Sequence, residues 1–98
     1  MKAQEIFNRR VILDVDAFAD LVVWKVPQSV PGSSHSFKYR LAFVVNGLCV
    51  LRYDNEAGKG GHKHVGNKEM PYKFTTPAKL IADFWNDVTR WQHENRDT

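Results

Sequence analysis

The chain has 98 residues, which gives room for one domain with one hydrophobic core. Hydrophobic residues make up 43% of it and aromatic residues 12%, a composition that excludes global disorder. The net charge is +3, and no apolar run approaches the roughly 20 residues that a membrane-spanning helix needs. We therefore predict a single soluble domain over residues 1–98, without a membrane segment.

The cysteine content and the N-terminus bear on the cellular compartment. Cys49 is the single cysteine, so it has no partner for an intramolecular disulfide. It lies in an apolar run, and we interpret it as an inert core thiol. Residues 1–10 alternate charged and apolar side chains and lack the pattern of a signal peptide. These features predict a cytoplasmic protein.

The first third of the chain predicts a hairpin. Residues 1–10 are compatible with a short helix or with an extended segment. Residues 11–15 alternate apolar positions, and residues 18–26 are rich in β-branched and aromatic side chains. The second strand should end at Pro27, which cannot continue a hydrogen-bonded ladder. The prolines, glycine and serines of residues 27–34 predict a loop.

The clearest pattern is the period-two alternation that ends at residue 45, which predicts a strand with one apolar face. Asn46-Gly47 is a strong hairpin signal, so residues 48–55 should return as the partner strand. A two-residue turn would pair Leu41 with Arg52, whereas a three-residue connection with a bulge shifts the pairing by one. Burial favours the shifted register, because it gathers the apolar side chains on one face. The polar face would then carry Lys38, Arg40, Arg52, Asp54 and Glu56.

The last part of the chain predicts a loop and then a helix. Residues 56–71 contain four glycines, three lysines and two histidines, a composition typical of a loop. Residues 72–74 could add a short edge strand. Thr76 is a suitable N-cap and Pro77 a suitable first helical residue, and the apolar residues that follow recur at helical spacing. The tail at residues 92–98 is expected to fray.

The predicted fold class is α+β. We expect a four-stranded, mostly antiparallel sheet with the C-terminal helix packed on its apolar face. Trp24, Trp85 and Trp91 are expected in the core, because they lie in strand and helix patterns. Asp83 and Asp87 are expected on the solvated side of the helix.

Basic side chains concentrate in the middle of the chain. Between residues 35 and 73 there are seven lysines and arginines but only three carboxylates. Three of the four histidines lie in the same segment. Such a segment is either an ordinary solvated basic face or a surface that binds polyphosphate.

Three interpretations of the polar residues between positions 52 and 64 stay open. His62 and His64 could act as general acid and base in RNA cleavage by the 2′-hydroxyl, because imidazole titrates near neutral pH. The same histidines, with Asp54 and Glu56, could instead bind a divalent metal ion, although no cysteine pair supports a structural zinc site. They could also be solvated loop residues, with the two carboxylates paired to neighbouring cations.

Three short runs have the pattern of a known family. They are Phe37-Lys38-Tyr39-Arg40, Leu51-Arg52-Tyr53-Asp54-Asn55 and His62-Lys63-His64. In these runs the chain resembles the TumE family, the toxin component of bacterial type II toxin–antitoxin pairs, and the similarity extends from residue 11 to residue 91. The resemblance implies growth inhibition and neutralisation by a small cognate antitoxin protein.

From the residues and the resemblance we predict a toxin that cleaves RNA as a ribonuclease, without a metal ion or other cofactor. The alternatives are a non-catalytic module that binds RNA or protein, and a metal-dependent nuclease that uses the His-x-His pair and the carboxylates. Assembly into a homo-oligomer is left open. The catalytic candidates, by motif position, are His62 and His64 for proton transfer, Arg52 for phosphate, and Asp54 and Glu56 for orientation. The candidates for RNA phosphate contacts are Lys38, Arg40, Lys59 and Lys63.

Overall fold

The computed structural model describes residues 3–55 and 60–95, which form one antiparallel sheet and one helix. Each strand pairs with the next one along the chain, so the sheet is a six-stranded meander. The helix α1 (Pro77–Glu94) follows the last strand. The strands are β1 (Gln4–Asp14), β2 (Ala17–Lys25), β3 (Phe37–Val45), β4 (Leu48–Asp54), β5 (His62–Val65) and β6 (Lys68–Pro71).

The α+β class and the C-terminal helix on an antiparallel sheet are confirmed, but the sheet has six strands rather than four. The two additional strands, β5 and β6, form a hairpin in the segment that we expected to be a loop. The three described glycines of that segment do not interrupt the strands: Gly66 lies in the turn, with φ of 60°, and Gly60 and Gly61 precede β5. Residues 56–59 of the expected loop lie outside the described residues.

The two ends of the sheet also differ from expectation. β1 begins at Gln4, so most of the first ten residues belong to a long edge strand rather than to a helix. β1 pairs with β2 in the predicted hairpin. Residues 72–74, a candidate edge strand, lie between β6 and the helix and form no strand.

The hairpin between β3 and β4 has the predicted register but not the predicted turn. Asn46 and Gly47 form a two-residue turn with φ of 53° and 76°, the left-handed region that a tight Asn-Gly turn requires. A bulge at Val50 then shifts the pairing by one residue, so that Phe43 pairs with Leu51. From this pair onward the register is the one that burial favours.

The same bulge explains why Cys49 is exposed rather than buried. Cys49 precedes the bulge and pairs with Val44, on the sheet face away from the helix. Its Sγ contacts the carbonyl oxygen of Leu51 at 3.4 Å. The expectation of a core thiol is therefore wrong, because the run of apolar residues around Cys49 is divided between the two faces.

The hydrophobic core lies between the other sheet face and α1. The helix begins at the predicted N-cap, where Thr76 Oγ1 accepts the N–H of Lys79 at 3.1 Å. It continues to Glu94, so residues 92–94 of the expected frayed tail are helical, and residues 96–98 lie outside the described residues. Among the described residues no helix has the length and apolar character needed to cross a membrane. The buried helix residues are Leu80, Phe84 and Val88, and they lie in one cluster with Ala19, Leu21, Val23, Tyr39, Leu41, Phe43, Leu51 and Tyr53.

His35 fixes the loop between β2 and β3 to the segment that precedes the helix. Its ring stacks on Phe74 with centroids 4.1 Å apart, and its Nδ1 accepts the N–H of Phe37 at 3.2 Å. Partial burial lowers the pKa of His35 below the ordinary value of 6.5, because the charged imidazolium loses hydration there.

This lowered pKa predicts that the fold loses stability in mild acid. Well above pH 6.5 His35 is neutral in both the folded and the unfolded chain. As the pH falls below that value, the unfolded chain takes up the proton first and is stabilised. We expect His35→Phe, which keeps the stack but cannot be protonated, to reduce the drop in melting temperature between about pH 7.5 and about pH 5.5. An equal drop in the variant and the wild type would contradict this assignment.

Candidate functional site

Strand alternation places the polar side chains of the sheet on the face away from the helix, which we call the open face. Strand pairing aligns the residues of this face in rows, and two of these rows run from β1 to β6. The first row is Asn8, Val22, Arg40, Asp54, His62 and Pro71. The second row is Arg10, Asp20, Ala42, Arg52, His64 and Glu69.

Two of the three motifs singled out in the sequence are direct neighbours in the sheet. β4 pairs with β5 so that Arg52 lies opposite His64 and Asp54 lies opposite His62. The four side chains therefore share the open face, as the hypothesis of a common site requires. Tyr53, between Arg52 and Asp54, and Lys63, between His62 and His64, point to the opposite face of the sheet, and Tyr53 packs in the core beneath the helix.

A line of polar contacts begins at Asp54 in the first row and continues along the second row from β4 to β6. Arg52 Nε lies 3.1 Å from Oδ2 of Asp54, which is 8% exposed. The Nε–H is not aligned for a hydrogen bond to this oxygen, so the contact is an ion pair only. Arg52 Nη2 lies 3.0 Å from His64 Nε2. His64 Nε2 also lies 3.0 Å from Glu69 Oε2 on β6.

The two contacts of His64 Nε2 exclude one another chemically. A ring nitrogen without a proton can accept a hydrogen bond from Arg52, which only donates. A ring nitrogen with a proton can donate to Glu69, which only accepts when ionised. His64 therefore has two hydrogen-bonding states, and gain or loss of one proton on Nε2 converts one state into the other.

His62 has a defined tautomer when it is neutral. Its Nδ1 lies 3.1 Å from the carbonyl oxygen of Gly60, and a carbonyl only accepts hydrogen bonds. The ring proton is therefore on Nδ1, which leaves a lone pair on Nε2. Such a nitrogen can accept a proton or bind a metal ion.

Gly61, directly before β5, fits its position because it has no side chain. A Cβ atom there would overlap the carbonyl oxygen of Tyr72 and lie 2.8 Å from the hydroxyl of Tyr39. The Gly61 carbonyl accepts the N–H of Tyr72 at 3.0 Å. This close approach fixes the start of β5 and so the position of His62.

Asn55, directly after β4, has a structural role that the sequence did not indicate. It is 1% exposed, and its Oδ1 accepts the backbone N–H of Tyr39 at 2.9 Å. Its Nδ2 donates to the carbonyl oxygen of Phe37 at 2.7 Å. Asn55 therefore continues the pairing of β3 and β4 beyond the last strand residue through its side chain.

Lys63 lies on the helix side of the sheet, away from His62 and His64. Its Nζ forms an ion pair with Asp87 Oδ2 at 3.0 Å and lies 5.7 Å from the centre of the Tyr53 ring. The expectation that Lys63 shares a phosphate-binding surface with the two histidines is therefore not met by this geometry. The reason is the alternation of β5, which turns Lys63 to the opposite face from its two neighbours.

Asp83 and Asp87 are also not solvated in the way we expected. The Tyr53 hydroxyl donates to Asp87, and the Tyr72 hydroxyl donates to Asp83 Oδ2 at 2.6 Å. The hydrogen bond from Tyr72 lowers the pKa of Asp83, and Lys79 supports the same shift. Burial, reinforced by the hydrogen bond to Asp87, raises the pKa of Tyr53. These contacts tie the helix to β4 and to the segment after β6.

The remaining candidates fall into three groups. Lys38 and Arg40 lie on the open face and are exposed. Glu56 and Lys59 lie outside the described residues. Trp24, expected in the core, instead lies partly exposed on the open face opposite Lys38. Within residues 3–55 and 60–95 no group of three or more His, Cys, Asp or Glu side chains is placed to hold a metal ion.

Glu69 is the site residue that sequence reasoning missed. It contacts His64 from β6, in the segment that was predicted to be a loop. The alternation of residues 68–71 is too short to indicate a strand by itself, so only the pairing with β5 identifies this contact.

The fold and the site define a small α+β protein in which imidazole, guanidinium and carboxylate groups meet on one open sheet face. The chain belongs to the TumE toxin family, whose family model matches residues 2–92, so the resemblance is confirmed. Membership of this family indicates a toxin component, and a toxin family in turn indicates an antitoxin partner. No curated protein and no solved structure matches the chain at a significant level.

The Lys63–Asp87 ion pair predicts a structural role for Lys63. We expect Lys63→Met to lower the free energy of unfolding by about 1 kcal/mol, because Asp87 loses a partly buried cationic partner. Urea denaturation provides the measurement. Lys68→Met, at an exposed position on β6, is the matched control and should change stability less. Equal effects of the two substitutions would contradict the role of the ion pair.

The close approach at Gly61 predicts a larger effect. Gly61→Ala should destabilise the fold by about 1–3 kcal/mol, because the added methyl group displaces backbone atoms. Gly66→Asn is the control: a Cβ there meets open space, and asparagine tolerates the left-handed conformation. Denaturant titration of both variants is the measurement, and a neutral Gly61→Ala would show that the segment before β5 can move.

Proposed function

We propose that this TumE-family toxin is an endoribonuclease that cleaves RNA without a metal ion, through attack of a 2′-hydroxyl on the adjacent phosphodiester. The observation that carries the proposal is the pairing of β4 with β5. It brings His62, His64, Arg52 and Asp54 together on the open face, where the two histidines and Arg52 are partly exposed and Asp54 is buried in contact with Arg52. Two imidazoles can supply the general base and the general acid of this reaction, and a guanidinium can stabilise the charge on the phosphate.

His62 is the proposed general base. With its proton held on Nδ1 by the Gly60 carbonyl, its Nε2 is free to take the proton of the 2′-hydroxyl. The oxygen then attacks phosphorus and a 2′-oxygen–phosphorus bond forms. The product on this side of the cut is a 2′,3′-cyclic phosphate.

His64 is the proposed general acid. Alternate residues of a strand are roughly 7 Å apart, so a phosphate group can lie between the two imidazoles. Protonated Nε2 donates to Glu69 before the reaction and gives its proton to the departing 5′-oxygen as the phosphorus–oxygen bond breaks. The deprotonated nitrogen then accepts a hydrogen bond from Arg52, which stabilises the state left after proton transfer.

Cationic side chains supply the charge that binds and stabilises the phosphate. Arg52 contacts His64, and its ion pair with Asp54, the residue opposite His62, holds it in the second row. Lys38 and Arg40 extend the basic surface toward β2 and β3. Glu56 and Lys59 remain predictions for orientation and phosphate contact. We also propose that the toxin acts in the cytoplasm and that a small cognate antitoxin neutralises it.

RNA binding without cleavage is the second candidate function. It is favoured by the exposed Lys38 and Arg40, which have no carboxylate at ion-pair distance among the described residues. Salt-dependent binding that produces no new RNA ends would distinguish it from the ribonuclease. A metal-dependent nuclease is the third candidate, and a chelator separates it from the other two.

The direct test is incubation of the purified protein with end-labelled single-stranded RNA, in parallel reactions with excess EDTA and with added Mg²⁺. The proposal predicts cleavage in EDTA, with 2′,3′-cyclic phosphate and 5′-hydroxyl ends. Cleavage that occurs only with Mg²⁺ would replace the proposal by a metal-dependent reaction. Binding without cleavage under both conditions would favour the second candidate.

Substitution of the histidines tests the assigned roles. We expect His62→Ala and His64→Ala each to reduce cleavage by about 100-fold or more and to abolish toxicity, since each removes one proton-transfer group. Their melting temperatures should stay close to that of the wild type. His93→Ala, at an exposed position near the end of α1, is the control and should retain activity. Retained toxicity in both site variants would refute the mechanism.

A further inference from the structure

Trp24 is an aromatic side chain on the open face without an assigned role. It lies on β2 between Glu5 of β1 and Lys38 of β3 and is partly exposed. Trp85 and Trp91, by contrast, pack against the core from the helix. A large aromatic ring on a polar sheet face is not explained by the packing of the fold.

The surroundings of Trp24 combine an apolar wall with cationic groups. A depression of about 210 Å³ is lined by Val22, Trp24, Lys38, Tyr39 and Arg40. A second one, of about 130 Å³, is lined by Lys38, Tyr39, Arg40, Asp54 and Asn55 and leads toward β4. Lys38 and Arg40 line both, so the two depressions are neighbours and together form a path from Trp24 to Asp54 on β4.

The charges on the two sides of Trp24 differ in sign, and this difference determines where a bound polyanion can extend. On the β1 side of Trp24 lies Glu5, and Asp20 of β2 is held by Arg10 at 2.7 Å. On the β3 side lie Lys38 and Arg40, which form no ion pair within the described part of the chain, because Asp54, opposite Arg40, is paired with Arg52. A polyanion that contacts Trp24 is therefore attracted toward β3, β4 and β5 and not toward β1.

We propose that Trp24, Lys38 and Arg40 form a subsite for an unpaired nucleotide of single-stranded RNA. The base stacks on the Trp24 ring, and the phosphates on either side contact Lys38 and Arg40. Paired bases of a duplex cannot reach the ring, so this subsite selects single strands. The subsite adds a substrate preference to the proposed ribonuclease, and its role in selecting substrate rests on that proposed function.

The position of the subsite predicts that it binds substrate and takes no part in the chemistry. Trp24 and His62 are separated by three strand spacings of about 4.8 Å, or roughly 14 Å across the sheet. A base on Trp24 therefore belongs to a nucleotide beyond the one that is cut. Trp24 is a positioning residue, and its loss should raise KM while kcat changes little.

The test separates binding from cleavage by using a single-stranded 2′-O-methyl oligonucleotide, which lacks the attacking hydroxyl. We expect Trp24→Ala to weaken its binding, measured by fluorescence anisotropy, by about tenfold. Trp24→Phe keeps an aromatic surface and should weaken binding by only about threefold or less. The same strand annealed to its complement should bind the wild type and Trp24→Ala equally. An abasic oligonucleotide should likewise remove the difference between the two proteins.

Circular dichroism melting of both variants controls for folding, and Trp24→Phe keeps the strand preference of the position. Unchanged binding of the single strand by Trp24→Ala, or absence of binding by the wild type, would overturn the subsite. The outcomes also separate the subsite from the ribonuclease. Cleavage by the wild type with an unchanged KM in Trp24→Ala refutes only the subsite, and Trp24-dependent binding without cleavage refutes only the ribonuclease.

Discussion

The register between β4 and β5 is the constraint on which the whole site depends. Because alternate residues of a strand face opposite sides, a shift of one residue would move both imidazoles under the helix and bring Lys63 to the open face. The contacts that hold the register lie mostly on the core side. They are the Lys63–Asp87 ion pair, the hydrogen bond from Tyr53 to Asp87 and the close approach of Gly61 to Tyr72. The helix side of the sheet thus determines the chemistry available on the other side.

The two faces of the sheet explain the order of residues in the motifs of β4 and β5. In the Arg-Tyr-Asp-Asn run, the side chains of Arg52 and Asp54 lie on the open face. Tyr53 and Asn55 are buried, and their contacts hold β4 in place. In the His-Lys-His run, the two histidines lie on the open face, and the lysine holds β5 to the helix through its ion pair with Asp87. Each motif therefore mixes site residues with residues that position them, and their order follows from the period of a strand.

The elements with strong periodic signals could be predicted from the sequence. The alternation of β3, the hairpin at Asn46-Gly47 and the capped amphipathic helix all fit local rules, and the shared face of Arg52 and Asp54 followed from burial. β5 and β6 have four residues each, and glycines precede and separate them, so local composition favoured a loop. The positions of Lys63 and Glu69 depend on that hairpin, and so they could not be predicted.

The prediction that Trp24 lies in the core was wrong because of the composition of β2. β2 carries apolar residues on both faces, with Leu21 and Val23 in the core and Val22 and Trp24 on the open face. A run of this kind has no period that tells one side from the other. Only the pairing of β2 with β3, whose polar face is known from its alternation, assigns Trp24 to the side that carries Lys38 and Arg40.

The exposed Cys49 makes the molecule convenient to label. It is the only thiol in the chain, and its partner Val44 lies six positions along β3 from Lys38 on the same face, a separation of about 20 Å. A maleimide dye coupled there would sit on the open face at a distance from the basic residues. Energy transfer from such a dye to a fluorophore on a nucleic acid would report the orientation of the bound strand, with every native side chain of the site left in place.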